Sequence, residues 1–340
     1  MGVNPGPASA PTERSYEDRV RAEMRHFSSS VAFDALPPAH HYWSNKYLRP
    51  EVARVFEVAG IVQSYAHECA AAFAATGSQR LLSIGSGQGS NEVAIAKQLR
   101  ALGFDEFRID CLELVPDLCE EGRRRAHEAG VAAHLRFIET DINTWTPAED
   151  GYAFVIANQI LHHVVELEHL FDGVRAALAP RGRFATRDMI GRNGHRCWPE
   201  SKAVMEEVWP ILPKRCTYDH RFERFLDRYP DRDCSTEGFE GIRAQDILPL
   251  LLERFHFAKF VAFGGLMERF VGRAFGLGYH VDGDEADRAL VDMIYLMNRR
   301  LIDADVIKPT QMIATLALEP CETRCGFGWT PAFALRPPDA

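Results

Sequence analysis

Three glycines follow a short apolar run at residues 81–89, where the sequence reads Leu-Leu-Ser-Ile-Gly-Ser-Gly-Gln-Gly. Glycine lets the backbone turn sharply and lets a ligand approach main-chain atoms with no Cβ in the way. The apolar run predicts a buried strand, and residues 91–102 predict a helix directly after the loop. In open parallel sheets such a loop lies at the carboxyl ends of the strands, where ligands bind. The segment therefore predicts a binding site for a cofactor.

Acidic residues follow the next two predicted strands. Glu113 ends the second strand, and a carboxylate there can accept hydrogen bonds from both ribose hydroxyls of an adenosine. Its alternative interpretation is a solvent-exposed acid at a strand end. Asp141 follows the third predicted strand, and its alternative role is to cap a helix or a turn. A glycine loop with an acid one strand later favours a cofactor that contains a nucleoside.

The spacing of the glycines separates two classes of nucleotide-binding protein. A dinucleotide-binding loop would read G-x-G-x-x-G and place glycine at position 90, where this sequence has Ser90. The pattern here is G-x-G-x-G, which resembles motif I of the class I S-adenosylmethionine-dependent methyltransferases of the small-molecule type. The resemblance covers roughly residues 80–263 and the last predicted strand.

The resemblance implies that S-adenosylmethionine is the cofactor. It implies that Asp141 bonds the adenine amino group and that Ile142 packs on the adenine ring. The expected cofactor contacts are Ser83, Gly85, Ser86, Gly87, Gly89, Glu113, Leu114, Asp141, Ile142, Asn158 and Gln159. Ser83 departs from the family, which usually has an acid there, and a serine attracts the cofactor's ammonium group less strongly.

Two adjacent histidines, His162 and His163, follow the fourth predicted strand, beside the expected position of the methyl group. Methyl transfer from a sulfonium mainly requires alignment of nucleophile, carbon and sulfur, and it needs a base only when the nucleophile is protonated. Histidine is suited to accept that proton, and otherwise the pair packs against or caps the next helix. Asp188 and His195 follow the fifth strand and are candidates for substrate contact, with a stabilised turn as the alternative.

An aromatic and polar cluster precedes this region at residues 40–48, where the sequence reads His-His-Tyr-Trp-Ser-Asn-Lys-Tyr-Leu. Aromatic faces attract cations, and a sulfonium is a cation. Tyr47 is therefore a further catalytic candidate, within a helical lid that closes over the cofactor. The other interpretation is ordinary packing of the N-terminal helices on the sheet.

Composition argues against several other classes of protein. The net charge of -9 disfavours a nucleic-acid partner, and the absence of a long apolar stretch disfavours a membrane span. The eight cysteines form no paired C-x-x-C motif, and no carboxylate triad suggests magnesium, so we expect no metal site. We expect a cytoplasmic enzyme with a small-molecule substrate, and a homodimer is compatible with these features.

Strands and helices alternate from residue 80 onward, which implies an α/β fold with helices on both faces of a parallel sheet. The prediction is a Rossmann-like sheet of seven strands, the last one antiparallel, with insertions after strands 5 and 6. The expected organisation is a disordered tail at 1–14, a helical lid segment at 15–76, a methyltransferase domain at 77–320 with insertions at 190–241 and 267–305, and a C-terminal tail at 321–340.

Two other functions stay open at this level. Some proteins that resemble methyltransferases use the aminocarboxypropyl part of the cofactor, including ring closure to azetidine-2-carboxylate with release of methylthioadenosine. A non-catalytic module would bind S-adenosylmethionine without turnover. The products distinguish these alternatives, because methyl transfer alone releases S-adenosylhomocysteine.

Overall fold

Short runs of β-branched, aromatic and other apolar residues form the strands of the central sheet. The computed structural model describes residues 14–29, 35–58, 60–148 and 150–337, so nearly all of the predicted disordered tail lies outside the described residues. The strands are β1 (Arg80–Ile84), β2 (Arg108–Glu113), β3 (Leu135–Glu139), β4 (Tyr152–Asn158), β5 (Leu178–Met189), β6 (Tyr218–Asp219), β7 (Arg224–Phe225), β8 (His256–Phe263), β9 (Gln311–Ala317) and β10 (Arg324–Cys325).

One sheet contains all of these strands except β6 and β7, in the order β3-β2-β1-β4-β5-β9-β8-β10. Strands β1 to β5 are parallel wherever they pair. Strand β9 runs antiparallel to both of its neighbours. The chain order reverses between β1 and β4, and ligands of open α/β sheets bind at such a switch point. The prediction of a Rossmann-like α/β fold is confirmed.

The prediction of seven strands ending in an antiparallel one is wrong in its count. An eighth strand, β10, pairs in parallel with β8. Thr323 Oγ1 donates a hydrogen bond to Phe257 O at 2.7 Å, and Gly326 N donates one to Phe260 O at 2.7 Å. These bonds cover part of the β8 edge, whose backbone groups would otherwise be unpaired. A two-residue strand is too short to show a periodic pattern in the sequence.

Helices pack on both faces of the sheet because successive side chains of a strand point to opposite sides. Leu81 and Leu82 illustrate this, since they belong to two separate hydrophobic cores. The helices are α1 (Tyr16–Ser29), α2 (Pro38–Trp43), α3 (Arg49–Phe56), α4 (Ile61–Thr76), α5 (Ser90–Ala101), α6 (Pro116–Glu128), α7 (Leu167–Ala177), α8 (Pro199–Val208), α9 (Ala244–Arg254), α10 (Met267–Val271), α11 (Glu285–Asp303) and α12 (Pro331–Ala334).

The segments expected as insertions have helices of their own. Residues 190–241 contain α8 and the antiparallel pair of β6 and β7, and residues 267–305 contain α10 and α11. Within the described ranges, no helix has an 18-residue stretch that is apolar enough to cross a bilayer.

Candidate active site

The loop between β1 and α5 has all three of its glycines in the left-handed region, with φ values of 64° at Gly85, 54° at Gly87 and 71° at Gly89. A Cβ at Gly85 would lie 2.2 Å from Ile160 Cγ1, and a Cβ at Gly89 would lie 2.7 Å from Phe137 Cζ. A Cβ at Gly87 would meet no described atom within 4 Å. Packing thus accounts for two of the glycines, whereas Gly87 borders open space that a ligand can fill.

Glu113, at the end of β2, holds this loop through its carboxylate. Its Oε2 accepts a hydrogen bond from Gly87 N at 2.8 Å, and its Oε1 accepts one from Val115 N at 3.0 Å. Burial raises the pKa of Glu113, although these N–H groups act in the opposite direction. Ser86 and Leu114, two further predicted contacts, flank this arrangement. An ionised carboxylate has about four acceptor positions, so Glu113 keeps capacity for two hydroxyl donors.

A second buried acid stands beside Ser83. Ser83 Oγ donates a hydrogen bond to Glu92 Oε1 at 2.7 Å, and Glu92 Oε2 has no hydrogen-bond partner within the described part of the chain. Burial raises the pKa of Glu92 to about 7. Helix α5 therefore supplies an acid next to the strand position where the related family usually has one. The sequence alone does not indicate a role for Glu92, because its place in the first turn of α5 does not reveal that it faces β1.

Asp141 caps a turn that follows β3. Its Oδ1 accepts a hydrogen bond from Asn143 N at 2.9 Å, and its Oδ2 accepts one from Tyr16 OH of α1 at 2.5 Å. Ile142 is buried in the hydrophobic core. The capping role that the sequence left open is therefore present, and contact between Asp141 and adenine stays a prediction.

Asn158 and Gln159 lie at the end of β4, at the same edge of the sheet as the glycine loop. Asn158 Oδ1 accepts a hydrogen bond from Tyr65 OH of α4 at 3.2 Å. Gln159 has a φ of 56°, and its backbone N donates to Arg187 O at 2.8 Å. The predicted cofactor contacts thus lie at the carboxyl ends of four adjacent strands, β1 to β4.

Four of the five predicted catalytic residues lie close together. The Nε2 atoms of three imidazoles face the carboxylate of Glu240, at 3.6 Å for His162, 3.4 Å for His163 and 2.7 Å for His195. Asp188 contacts His162 from the opposite side. We call this group the histidine cluster; its members are His162, His163, His195, Glu240, Asp188 and Glu23.

Asp188 fixes the histidine-containing turn to β5. Its Oδ2 accepts hydrogen bonds from Ile160 N at 2.9 Å and Leu161 N at 2.8 Å, and its Oδ1 lies 2.6 Å from His162 Nδ1. Burial alone would raise the pKa of Asp188, but His162 and the backbone N–H groups hold it below its ordinary value. The contact assigns the hydrogen of His162 to Nδ1, which leaves Nε2 free to face Glu240.

Two acids of the histidine cluster come from segments to which sequence analysis assigned no chemistry. Glu240 lies near the end of the 190–241 segment. Burial by itself would raise the pKa of Glu240, but the neighbouring histidines hold that pKa well below the ordinary range. Glu23 Oε1, from α1, lies 2.5 Å from His163 Nδ1 at an angle outside hydrogen-bond geometry. Neither acid follows a strand or a motif, so no local signal marks it.

Tyr47, the fifth predicted catalytic residue, contacts α11. Its OH donates a hydrogen bond to Asp292 Oδ1 at 2.7 Å, and its ring stacks on Tyr295 with 3.7 Å between centroids. Lys46 Nζ lies 5.3 Å from the centre of the Tyr47 ring. These contacts are those of ordinary helix packing. The Tyr47 ring already faces a cation of the chain itself, the ammonium group of Lys46.

Part of the sequence matches a known family. Residues 81–182 match the family model described as a methyltransferase domain. This chain carries a methyltransferase domain. The matched residues include the glycine loop, Glu113, Asp141 and both histidines of the turn after β4. No curated protein sequence matches the chain significantly.

Solved structures similar to this chain include other methyltransferases. One is a geranyl diphosphate C-methyltransferase from Streptomyces coelicolor A3(2), 13% identical, with a TM-score of 0.45, over 88% of this chain and 98% of that chain. Another is the O-methyltransferase of a trans-AT polyketide synthase multienzyme of Brevibacillus brevis, 15% identical, with a TM-score of 0.41, over 84% of this chain and 81% of that chain. Similarity at this level identifies no substrate.

Proposed function

We propose that the protein transfers the methyl group of S-adenosylmethionine to a small-molecule acceptor. The observation that carries the proposal is the buried Glu113 carboxylate, tied to Gly87 N at 2.8 Å beside open space at Gly87, within the matched methyltransferase domain. This arrangement fits an adenosine, because the carboxylate can accept the ribose hydroxyls while Gly87 lets the ligand approach the backbone.

The cofactor, when bound, supplies an electrophilic methyl group, and the chain binds and orients it. Glu113 would accept hydrogen bonds from the ribose hydroxyls, and Asp141 would accept one from the adenine amino group. Glu92 would offer negative charge near Ser83, which lacks the usual acid. Alignment of this kind can supply about 7–11 kcal/mol of the barrier to a displacement between two bound molecules.

The acceptor side of the proposed site is the histidine cluster. His162 is held at Nδ1 by Asp188, so its Nε2 can accept a proton from an acceptor hydroxyl. The Glu240 side chain is 40% exposed, whereas His162 and His163 are buried, so an acceptor would reach them past Glu240. Positioned proton transfer of this kind contributes about 10²–10⁴-fold to a rate.

Calorimetry and product analysis together test this function. The full-length protein is titrated with S-adenosylmethionine and then incubated with pools of small-molecule hydroxyl and carbon acceptors. We expect binding and the formation of S-adenosylhomocysteine, detected by mass spectrometry. Release of methylthioadenosine from the cofactor alone would identify alkyl transfer instead, and binding without either product would identify a non-catalytic module.

Two properties of the intact protein belong to the same proposal, a cytoplasmic location and a homodimeric state. All eight cysteines are unpaired, which fits a reducing compartment. Met293 and Leu296 of α11 expose apolar side chains that a second copy of the chain could cover. Light scattering should give twice the chain mass of 38.3 kDa, and a monomer mass would contradict the dimer.

A further inference from the structure

The histidine cluster has the donor atoms of a metal centre. One ligand atom each from His162, His163 and Glu240 lies within 4.8 Å of the others, and His195 Nε2 lies 2.7 Å from Glu240 Oε1. Two ligands of a tetrahedral ion, each about 2.1 Å from it, are separated by about 3.4 Å. The separations of 3.6 Å from His162 Nε2 to Glu240 Oε1 and 3.4 Å from His163 Nε2 to Glu240 Oε2 match that spacing.

The opposite nitrogens of two of these imidazoles face carboxylates. Asp188 Oδ1 lies 2.6 Å from His162 Nδ1, and Glu23 Oε1 lies 2.5 Å from His163 Nδ1. Histidines that bind metals almost always present their second ring nitrogen to a carboxylate, a carbonyl or water, which fixes the tautomer and makes the ligand nitrogen more basic. His162 therefore has the hydrogen-bonded orientation that coordination through Nε2 requires, and Glu23 places a carboxylate beside Nδ1 of His163.

Charge and access also suit a cation. Three carboxylates, Glu23, Asp188 and Glu240, contact imidazoles that are neutral whenever they bind a metal. A divalent ion would offset most of this negative charge. The partly exposed Glu240 side chain gives such an ion a path to the buried His162 and His163.

We propose that the histidine cluster binds one divalent transition-metal ion, of the zinc or iron(II) class, through His162, His163 and Glu240, with His195 holding the Glu240 carboxylate by a hydrogen bond. Imidazoles with one carboxylate suit these ions, whereas magnesium prefers six oxygen ligands. With the ion bound, His162 Nε2 would be a ligand rather than a base, and a fourth position on the ion would remain for an acceptor oxygen. That last role rests on the proposed function, whereas binding of the ion does not.

Metal binding by the full-length protein, without S-adenosylmethionine, tests the proposal. Chelator-treated protein is titrated with Co²⁺, whose visible absorption reports its ligands, and then with Zn²⁺ or Mg²⁺. We expect one equivalent of Co²⁺ to bind with a nitrogen-ligand spectrum, and Zn²⁺ but not Mg²⁺ to displace it. Glu240→Gln and His163→Asn should weaken Zn²⁺ binding at least about tenfold. The control His256→Asn, at an exposed histidine of β8, should leave it unchanged.

Thermal unfolding gives a second readout that does not depend on the variants. The melting temperature of the wild type should rise with Zn²⁺ and not with Mg²⁺. The proposal is overturned if the wild type binds no Co²⁺, if bound Co²⁺ keeps the spectrum of the hydrated ion, or if the two cluster variants bind Zn²⁺ as tightly as His256→Asn does. S-adenosylmethionine affinity, measured on the same metal-free protein, reports separately on the proposed cofactor site.

Discussion

Gly87 and Glu113 meet through one hydrogen bond, and the proposed function assigns both of them to the same ligand. The bond is charge-assisted when Glu113 is ionised, so it orders the loop before any ligand binds. At the scale of single residues the site can therefore be tested from the loop side and from the strand side.

Glu113→Ala should lower the affinity for S-adenosylmethionine at least about tenfold. The substitution removes a carboxylate that would accept two charge-assisted hydrogen bonds, each worth about 1.5–3 kcal/mol. Calorimetry measures the change, and circular dichroism verifies the fold. Glu120→Ala, at an exposed acid of α6, is the matched control and should bind like the wild type. Unchanged affinity in folded Glu113→Ala would remove the basis of the ribose assignment.

Gly87→Ala should also weaken cofactor binding at least about tenfold, with only a modest loss of stability. The new Cβ meets no described atom within 4 Å, so its cost to the fold is the left-handed backbone at φ 54°, about 1–2 kcal/mol. Gly85→Ala should be far more destabilising because its Cβ would overlap Ile160. Thermal melts and calorimetry compare the two, and wild-type affinity in Gly87→Ala would show that the open space serves another purpose.

Glu92→Gln should stabilise the protein at alkaline pH and not at acid pH. The pKa of Glu92 is raised from 4.5 to about 7 in the folded state, so its protonation favours folding. That contribution is complete below about pH 4.5 and is lost as the pH rises through 7. Glutamine keeps an acceptor for Ser83 Oγ and carries no charge. Denaturant titrations should show a gain of at most about 3 kcal/mol at pH 8.5 and little at pH 5, and an equal effect at both would contradict the assignment.

At the scale of elements, α1 has the contacts expected of a lid. Tyr16 bonds Asp141, Arg19 Nη1 donates to Ser235 O and Gly238 O, and Glu23 lies against His163. One helix therefore spans the predicted adenine end of the site and the histidine cluster. The segment at residues 40–48, where sequence analysis placed the lid chemistry, instead bonds α11 through Tyr47.

Deleting residues 1–34 should reduce turnover more than cofactor affinity. The truncation removes Tyr16 and Glu23 but leaves the glycine loop and Glu113 in place. Closure excludes water and completes the catalytic arrangement, so its loss affects kcat first. Steady-state kinetics and calorimetry separate the two effects. The control Glu17→Ala, at an exposed position of α1, should leave both kcat and cofactor affinity unchanged. Full activity of the truncated protein would exclude α1 as a lid.

At the scale of the whole molecule, residues 324–337 join the far edge of the sheet to the N-terminal helices. Arg54 Nη2 donates to Cys325 O at 2.8 Å, and Phe327 N donates to Glu51 Oε2 at 2.9 Å. Trp329 is 6% exposed, and its Nε1 donates to Asp303 Oδ1 at 2.9 Å. The segment expected as a C-terminal tail therefore contributes a strand, a helix and part of the core.

Trp329→Ala should lower the free energy of unfolding by about 3–5 kcal/mol, as large-to-small changes of buried aromatic residues do. Ile211→Ala is the control, because that residue is 80% exposed and its truncation should change stability by no more than about 0.5 kcal/mol. Urea titrations at matched pH measure both variants. Equal stability of the two would show that the segment is dispensable for the fold.

The sequence by itself determined those features that depend on neighbouring residues. Alternation of apolar strands and helices indicated the parallel sheet, and the glycine spacing located its loop, because both patterns lie within one βαβ unit. The strand order confirms that fold. The sequence could not indicate β10, since two residues carry no period, and pairing with β8 depends on chain more than sixty residues away.

Tertiary structure alone decided how the candidate catalytic residues are grouped. His162, His163, Asp188 and His195 were each visible as residues after a strand, but Glu240, the partner that the three histidines share, and the nearby Glu23 were not. Glu92 facing Ser83 and Tyr47 bonded to Asp292 belong to the same class. Most of these pairings join segments far apart in the chain, and the Ser83–Glu92 contact depends on how α5 packs on β1, so no local spacing encodes them. The histidine cluster forms because folding brings α1 and the 190–241 segment together over the end of β4.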